Sequence, residues 1–559
     1  MKKTLSSLLL MAVALFAMTS CNDAAKMAEA ANQVKISCTP EVLEVVAGEI
    51  NADVVVSFPA KYFDKKAIVK VVPVIKYEGG EVAGEPFYYQ GEKVLDNGKL
   101  VIKDEGASLK EKINFKYVKG MEKSELVARA TVLVPSSSKT SAIADESKCK
   151  VYPFPNDIKI ADGANTTYML ICKKGAYELK DDGYQEVIPE TAEAQILYLI
   201  NSSEVRSSQL KSQGIKDFKN ALKALESDSR REVKGTDIVA YASPDGGYDL
   251  NDKLAANREK SAQKAFGQVT KKLNAGDVKT TSIAEDWEGF SELVNNSTIE
   301  DKELILRVLS MYSDPNVREQ EIKNMSAVYT SLAKNVLPQL RRARFITNVE
   351  YTNYTADELT DLVENNISVL DEPALLRAAT LVKGDAKLAV YDQAISKYDS
   401  EKAKFNAACV CLDNNDLAGA KSYIAKASDK CKCVKNLKGV IAMREGDNDA
   451  AEQYFTAAGD AGKENLAVIN VLKGDYNAAA ANLSGAKGYN KAVVDLLVGN
   501  AFAVEGDLSC KCASASYVKA VAAARQGDKY AANDYLNKAK EDASLAKRAE
   551  TDVEFAKIK

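Results

Sequence analysis

The sequence predicts a multidomain protein: an N-terminal all-β sandwich, a central α+β domain with a helical insertion, and a C-terminal all-α solenoid. Three observations predict it. Runs of β-branched residues broken by glycine turns fill residues 34–134. Strand-like and helix-like stretches alternate over 191–352. From 355 onward a Gly-Asp or Asn-Asp turn recurs about every 31 residues in helical surroundings. The length of 559 residues suits about three or four domains at roughly 150 residues each.

Composition narrows the function. With 28% charged and 46% hydrophobic residues the chain is ordinary globular protein. Histidine is absent, which removes Ser-His-Asp and Cys-His catalysis, His-ligated zinc and His-held haem. The sequence also lacks a Gly-x-Ser-x-Gly elbow, a P-loop and a Gly-x-Gly-x-x-Gly turn. The expectation is a protein that is no enzyme and uses no cofactor or metal.

Residues 1–20 read as a leader. Lys2 and Lys3 begin it, Leu8 to Met18 is almost wholly apolar, and Cys21 follows Thr19-Ser20. That ending resembles a bacterial lipobox. The resemblance implies cleavage before Cys21, lipid on its thiol, and residence at the outer membrane, on its periplasmic or surface face. Several acyl chains hold durably, at roughly 0.8 kcal/mol per buried CH₂. Cleavage removes two lysines and no acid, so the net charge moves from −4 to −6. An acidic chain is a poor partner for nucleic acid. Residues 21–33 are small and polar and read as a tether.

The β segment, 34–134, contains strand-like runs at 54–58, 67–74, 99–103, 113–118 and 126–134. Residues 135–190 are expected to be a β-rich connecting region. In 191–352 strands are expected at 195–200, 236–241 and 344–351, with helices at 208–225 and 251–273. Residues 286–340 read as the helical insertion.

One motif in this segment is specific. Residues 241–258 run from a strand through a glycine turn into a helix and include Ser243, Asp245, Gly246, Asn251, Leu254 and Arg258. The spacing of Gly246, Asn251, Leu254 and Arg258, with Arg341-Arg342 before the last strand, resembles the OmpA-like peptidoglycan-binding domain. Glu285-Asp286-Trp287-Glu288-Gly289 followed by a helical insert resembles a variant of that family in Gram-negative envelope lipoproteins with C-terminal helical repeats. The resemblance implies that an Asp and an Arg grip the charged ends of diaminopimelate in peptidoglycan. Here Ser243 stands where the family has Asp, and Asp245 is the candidate substitute. The plainer alternative has Asn251 capping a helix and Arg258 in a surface pair.

The last segment, 355–559, carries turns at Gly384-Asp385, Asn415-Asp416, Gly446-Asp447, Gly474-Asp475, Gly506-Asp507 and Gly527-Asp528. After four of them come a small Ala (420, 451, 479, 532), a large apolar residue (Ile424, Phe455, Leu483, Leu536) and a second Ala (427, 458, 486, 539). Alanine lets helices approach and the large residue fills the groove between them. The offsets resemble the tetratricopeptide repeat, which implies a solenoid that recruits another envelope protein in its concave groove.

Nine cysteines follow Cys21: Cys38, Cys149, Cys172 and Cys-x-Cys pairs at 409/411, 431/433 and 510/512. Cys38 is a candidate partner for Cys149 or Cys172. The paired cysteines are expected to be buried small thiols or local disulfides. The expected role is a lipoprotein that tethers or scaffolds envelope components through its α+β module and its repeats. The competing role is an accessory subunit of an outer-membrane assembly or transport complex without peptidoglycan binding.

Overall fold

The computed structural model describes residues 19–137, 143, 145–299, 302–556 and 558. The leader at 1–20 lies almost wholly outside the described residues, as does the Cys21 side chain; Cys21 itself falls in the helix Thr19–Glu29. The chain divides into two units. One comprises the residues up to Lys180 together with Lys404–Lys559, and the other is Asp181–Ala403.

In the first unit the β segment is one continuous sheet of eleven strands rather than two facing sheets. Neighbours along it are Lys35–Thr39, Glu49–Phe58, Val42–Val46, Ile158–Asn165, Ser124–Pro135, Ile68–Tyr77, Phe87–Gly91 and Lys99–Val101, with Ala107–Lys116, Gly80–Ala83 and Cys149–Pro153 branching from it. The joining piece is Val42–Val46. It pairs antiparallel with Glu49–Phe58 on one side and parallel with Ile158–Asn165 on the other. Residues 135–190, expected to be a β-rich connection, supply two strands of this sheet, Cys149–Pro153 and Ile158–Asn165. Period-two patterning is clear in Glu49–Phe58, where Ile50, Val54, Val56 and Phe58 are buried.

The helical part of this unit is built from pairs. First helices are Glu401–Asp413, Lys432–Glu445, Lys463–Lys473, Tyr489–Leu497 and Ala513–Arg525. Second helices are Leu417–Ile424, Asn448–Ala458, Tyr476–Asn482 and Lys529–Ala539. The recurring dipeptide has a physical basis. Gly446, Gly474 and Gly527 have φ of 89°, 83° and 78°, and Asn415 has 58°, the left-handed conformation that ends a helix. The next residue closes the turn with a backbone N–H to the carbonyl five positions back: Asp416 to Cys411, Asp447 to Ala442, Asp475 to Asn470, Asp528 to Ala523. Its carboxylate then caps the second helix, accepting from the backbone N–H of Gly419, Ala450, Ala478 and Ala531. Asp447→Ala should cost about 1 kcal/mol, read as faster amide exchange in Asn448–Ala458 with the neighbouring repeats unchanged.

The fifth of the six turns read in the sequence differs in the structure. Gly506-Asp507 is not a repeat turn; Asp507 ends the short helix Val504–Asp507 and pairs with Lys491 at 3.2 Å. The true turn is Gly499-Asn500, with Gly499 at φ 81° and the Asn500 N–H on the Asp495 carbonyl. Two short helical pieces, Ala501–Ala503 and Val504–Asp507, stand where a second helix would be. Packing follows the expected offsets: Ala420, Ala451, Ala479, Ala532, Phe455, Leu483 and Leu536 are all buried. Gly439 on one first helix matters to Phe455, since a β-carbon there would sit 2.5 Å from the ring.

The second unit holds a four-stranded sheet ordered Val187–Leu197, Arg342–Thr352, Arg231–Tyr241, Asp277–Ile283. The last two are parallel and the other pairings antiparallel. Helices Gln213–Glu226 and Tyr248–Val269 cover it, and Ile238, Phe345, Phe218 and Phe266 form its core. Residues 286–340 form helices with their own small core around Phe290, Val294, Ile322 and Leu340. The helices between Ala356 and Tyr398, read in the sequence as the first repeats, belong to this unit. Glu358 pairs with Arg230 at 2.7 Å, and Arg377 lies 3.8 Å from Asp182. At Gly384-Asp385 the geometry is also different, with Gly384 at φ 60°, ψ −139° preceding a helix rather than ending one.

Candidate functional site

The 241–258 motif folds as a strand end, a tight loop and a helix start. Gly247, not Asn251, is the N-cap of Tyr248–Val269. Asn251 sits in the first turn and donates from Nδ2 to the Gly246 carbonyl at 2.7 Å and to Glu285 Oε1 at 3.5 Å. Gly246 permits that approach, because a β-carbon there would lie 3.2 Å from Asn251 Oδ1. Leu254 is half-buried on the same helix.

The charged members are each occupied. Ser243 is buried and donates its hydroxyl to Asp245 Oδ1 at 2.5 Å. Arg341 donates to Asp245 Oδ2 at 2.9 Å and to Ser243 Oγ at 3.3 Å. Arg258 is 0% exposed. It donates to three backbone carbonyls: Nε to Ser202 at 2.9 Å, and its two amino groups to Tyr241 at 2.9 Å and Leu199 at 3.2 Å. Its guanidinium also lies over the Tyr198 ring, 5.0 Å from the centroid. Burial draws its pKa down to about 10, so it stays charged at neutral pH.

Adjacent residues Arg341 and Arg342 take different carboxylates. Arg342 pairs with buried Asp286 at 2.8 Å, while Asp286 also accepts from the Gly289 N–H and caps Trp287–Asn295. Burial outweighs the arginine and holds the Asp286 carboxyl above the usual range. Glu285 accepts from Trp287 Nε1 at 2.7 Å, and burial raises its pKa too. Sequence spacing pointed to all these positions except Tyr198 and the carbonyls of 199–202, which reach Arg258 from another part of the chain.

A second constellation lies on the first-helix face of the repeats. Residues 172–180 run across it as a strap. Asn490 brackets Cys172, accepting its N–H at 2.8 Å and donating to its carbonyl at 3.1 Å. Asn465 does the same for Ala176, at 2.7 and 2.8 Å. Asn436 adds a bond to the Ala176 carbonyl at 2.9 Å. Asn406 brackets Lys180 at 2.7 and 3.0 Å. Four of the five first helices thus lend one asparagine, and the amides of Asn406, Asn465 and Asn490 each match one donor and one acceptor of the strap backbone. Arg444 Nε adds a bond to the Lys174 carbonyl at 2.8 Å, and Tyr177 donates to Asp413 at 2.5 Å. The first-helix face of the repeats therefore carries a segment of this chain.

Cys431 and Cys433 form a disulfide. Helical spacing of two would part the thiols, but Cys431 precedes the helix in an extended conformation, φ −77° and ψ 126°. Cys38, Cys149 and Cys172 are each unbridged. Cys409 is buried, and desolvation pushes its thiol up to about 12, in keeping with a small apolar side chain.

No family model matches the chain. No curated protein matches it. A crystal structure of the APC/C hetero-tetramer Cut9-Hcn1 is similar over 62% of this chain and 71% of that one, with 14% identity and a TM-score of 0.27.

Proposed function

We propose that this protein is a lipid-anchored scaffold of a Gram-negative cell envelope that works through protein contacts, as an accessory subunit of an outer-membrane assembly, without gripping peptidoglycan. The anchor rests on the leader and Cys21. The envelope setting rests on the OmpA-like spacing of Gly246, Asn251, Leu254 and Arg258. Among the described residues no helix is long and apolar enough to cross a membrane. The role in the envelope is non-enzymatic.

One observation carries the choice against wall binding: the Arg258 guanidinium is enclosed and already bonded to three main-chain carbonyls. A diaminopimelate carboxylate would need those donors freed. The candidate acid Asp245 is likewise taken by Arg341, which leaves the ammonium of a stem peptide without a free counter-charge. Partner contacts are assigned to repeat surfaces outside the strap.

Incubation of the mature protein with purified sacculi is expected to leave it in the supernatant. Retention that falls when folded Arg258→Lys protein is used would overturn this reading and restore the wall tether. Globomycin is expected to trap the uncleaved precursor, and Cys21→Ala to release the chain from the membrane fraction. Unchanged membrane recovery of Cys21→Ala would remove the anchor.

A further inference from the structure

Cys431-Lys432-Cys433 and Cys510-Lys511-Cys512 are the same tripeptide, and each leads into the first helix of a repeat. The first is closed as a disulfide with its Cα atoms 5.3 Å apart. In the second, the two sulfurs lie 2.7 Å apart, and the Cys512 N–H donates to Cys510 Sγ at 3.2 Å. Cys512 is extended, with φ −67° and ψ 161°, like Cys431. The two sulfurs already face each other at close range, so the pair needs little rearrangement to bond. Both thiols are exposed. With Cys172, Lys174, Tyr489 and Leu508 they line a cavity of about 490 Å³.

We propose that Cys510 and Cys512 form a thiol–disulfide exchange site whose substrate is a disulfide presented by another molecule. The Cys510 thiolate attacks one sulfur of that disulfide; a Cys510–sulfur bond forms, the substrate S–S bond breaks and one thiolate leaves. The Cys512 thiolate then attacks Cys510 Sγ. The Cys510–Cys512 bond forms and the second substrate thiolate leaves. Two electrons pass to the substrate, and the two thiol protons follow through water to the departing thiolates. An external dithiol reverses the sequence and resets the pair.

Cys510 is suited to attack first. The Cys512 thiol and backbone N–H, together with Lys519, hold its thiol below the ordinary range. Cys38, by contrast, is buried and pushed up to about 11. Thiolate fraction favours Cys510, lower basicity returns part of that advantage, and exposure of Cys510 against burial of Cys38 adds to it.

The test uses the full mature lipoprotein in detergent. It is reduced, freed of reductant, then exposed to oxidised glutathione in one arm and to a polypeptide with scrambled disulfides in the other. Quenching, alkylation and trypsin follow. Cleavage after Lys511 separates the cysteines, so a closed pair keeps two peptides joined. That linked species is expected, and its arm identifies whether small or polypeptide disulfides are the substrate. Cys512→Ala, which keeps Cys510 exposed, is expected to accumulate glutathione at Cys510 and to leave buried Cys38 unmodified over the same interval. The proposal fails if Cys510 and Cys512 are both recovered alkylated in both arms, if either links to Cys172 instead, or if Cys510→Ala leaves glutathione uptake at Cys512 as fast.

Discussion

Arg258→Ala is expected to destabilise the α+β unit by about 4–5 kcal/mol, since three hydrogen bonds from a charged donor are lost at about 1.5 kcal/mol each. The substitution strips donors from the carbonyls of Ser202, Tyr241 and Leu199 together. The Tyr241 carbonyl, buried and left unpaired, accounts for about 1–3 kcal/mol of this, and a void opens beside Tyr198. Lysine would not repair this. Its ammonium is a compact point charge on a flexible stem, whereas the guanidinium fork reaches three directions at once. The measurement is direct, because the chain has a single tryptophan and Trp287 lies in this unit. Urea unfolding followed by its fluorescence reports the α+β unit selectively. A midpoint within error of the unsubstituted protein would show that the guanidinium is not a structural element, and the diaminopimelate reading would regain its arginine. Asp245→Asn should do much less. Its pair with Arg341 is partly solvated, the side chains 16% and 13% exposed, and such pairs contribute on the order of 1 kcal/mol.

That contrast marks what the sequence made legible. The order strand, glycine turn, helix over 241–258 followed from residue types, while the expectation that Arg341 and Arg342 belong to the same locus came from the resemblance to the OmpA-like motif. The partners of Arg258 did not. They are main-chain oxygens of residues 199–202 and 241, and a backbone carbonyl leaves no trace in residue identity. The repeat turns show the same division. Asp416, Asp447, Asp475 and Asp528 were readable because a capping carboxylate has a side chain to recognise. Gly499-Asn500 was hidden, since Asn replaced Asp there while Gly506-Asp507 imitated the pattern a few residues later. The β segment misled in another way. Its strands were visible from alternation, but whether they make two sheets or one depends on Val42–Val46 and its parallel pairing with Ile158–Asn165, a long-range choice that local pattern cannot encode.

The strap is the largest feature without a sequence signature, and its energetics can be isolated. The double variant Asn436→Ala/Asn465→Ala removes three bonds to the Ala176 backbone and the bond from Asn465 Nδ2 to Asn436 Oδ1 at 2.8 Å. At about 1 kcal/mol net per bond, the three bonds to Ala176 give the strap about 3 kcal/mol of local stability to lose. Because tenfold corresponds to about 1.4 kcal/mol, the Ala176 amide should exchange roughly two orders of magnitude faster. Trypsin should then cut at Lys173 and Lys174 before it cuts elsewhere. The repeats themselves should hold, because their cores rest on residues such as Phe455 and Leu437 that the substitutions leave in place. Asn406→Ala supplies the internal control. Its two bonds serve Lys180 alone, so it should release the strap's far end while Ala176 keeps most of its protection. If the double variant left Ala176 exchange unchanged, the asparagines would be bystanders and the strap would be held by Gly175 against Val440 and by Arg444. If it loosened the strap and the repeats unfolded with it, the segment would be a strut of the array instead of an occupant of its face. Release with intact repeats is the expected result, because hydrogen bonds made by side chains to an extended backbone are replaceable by water, whereas the apolar contacts between helices are not.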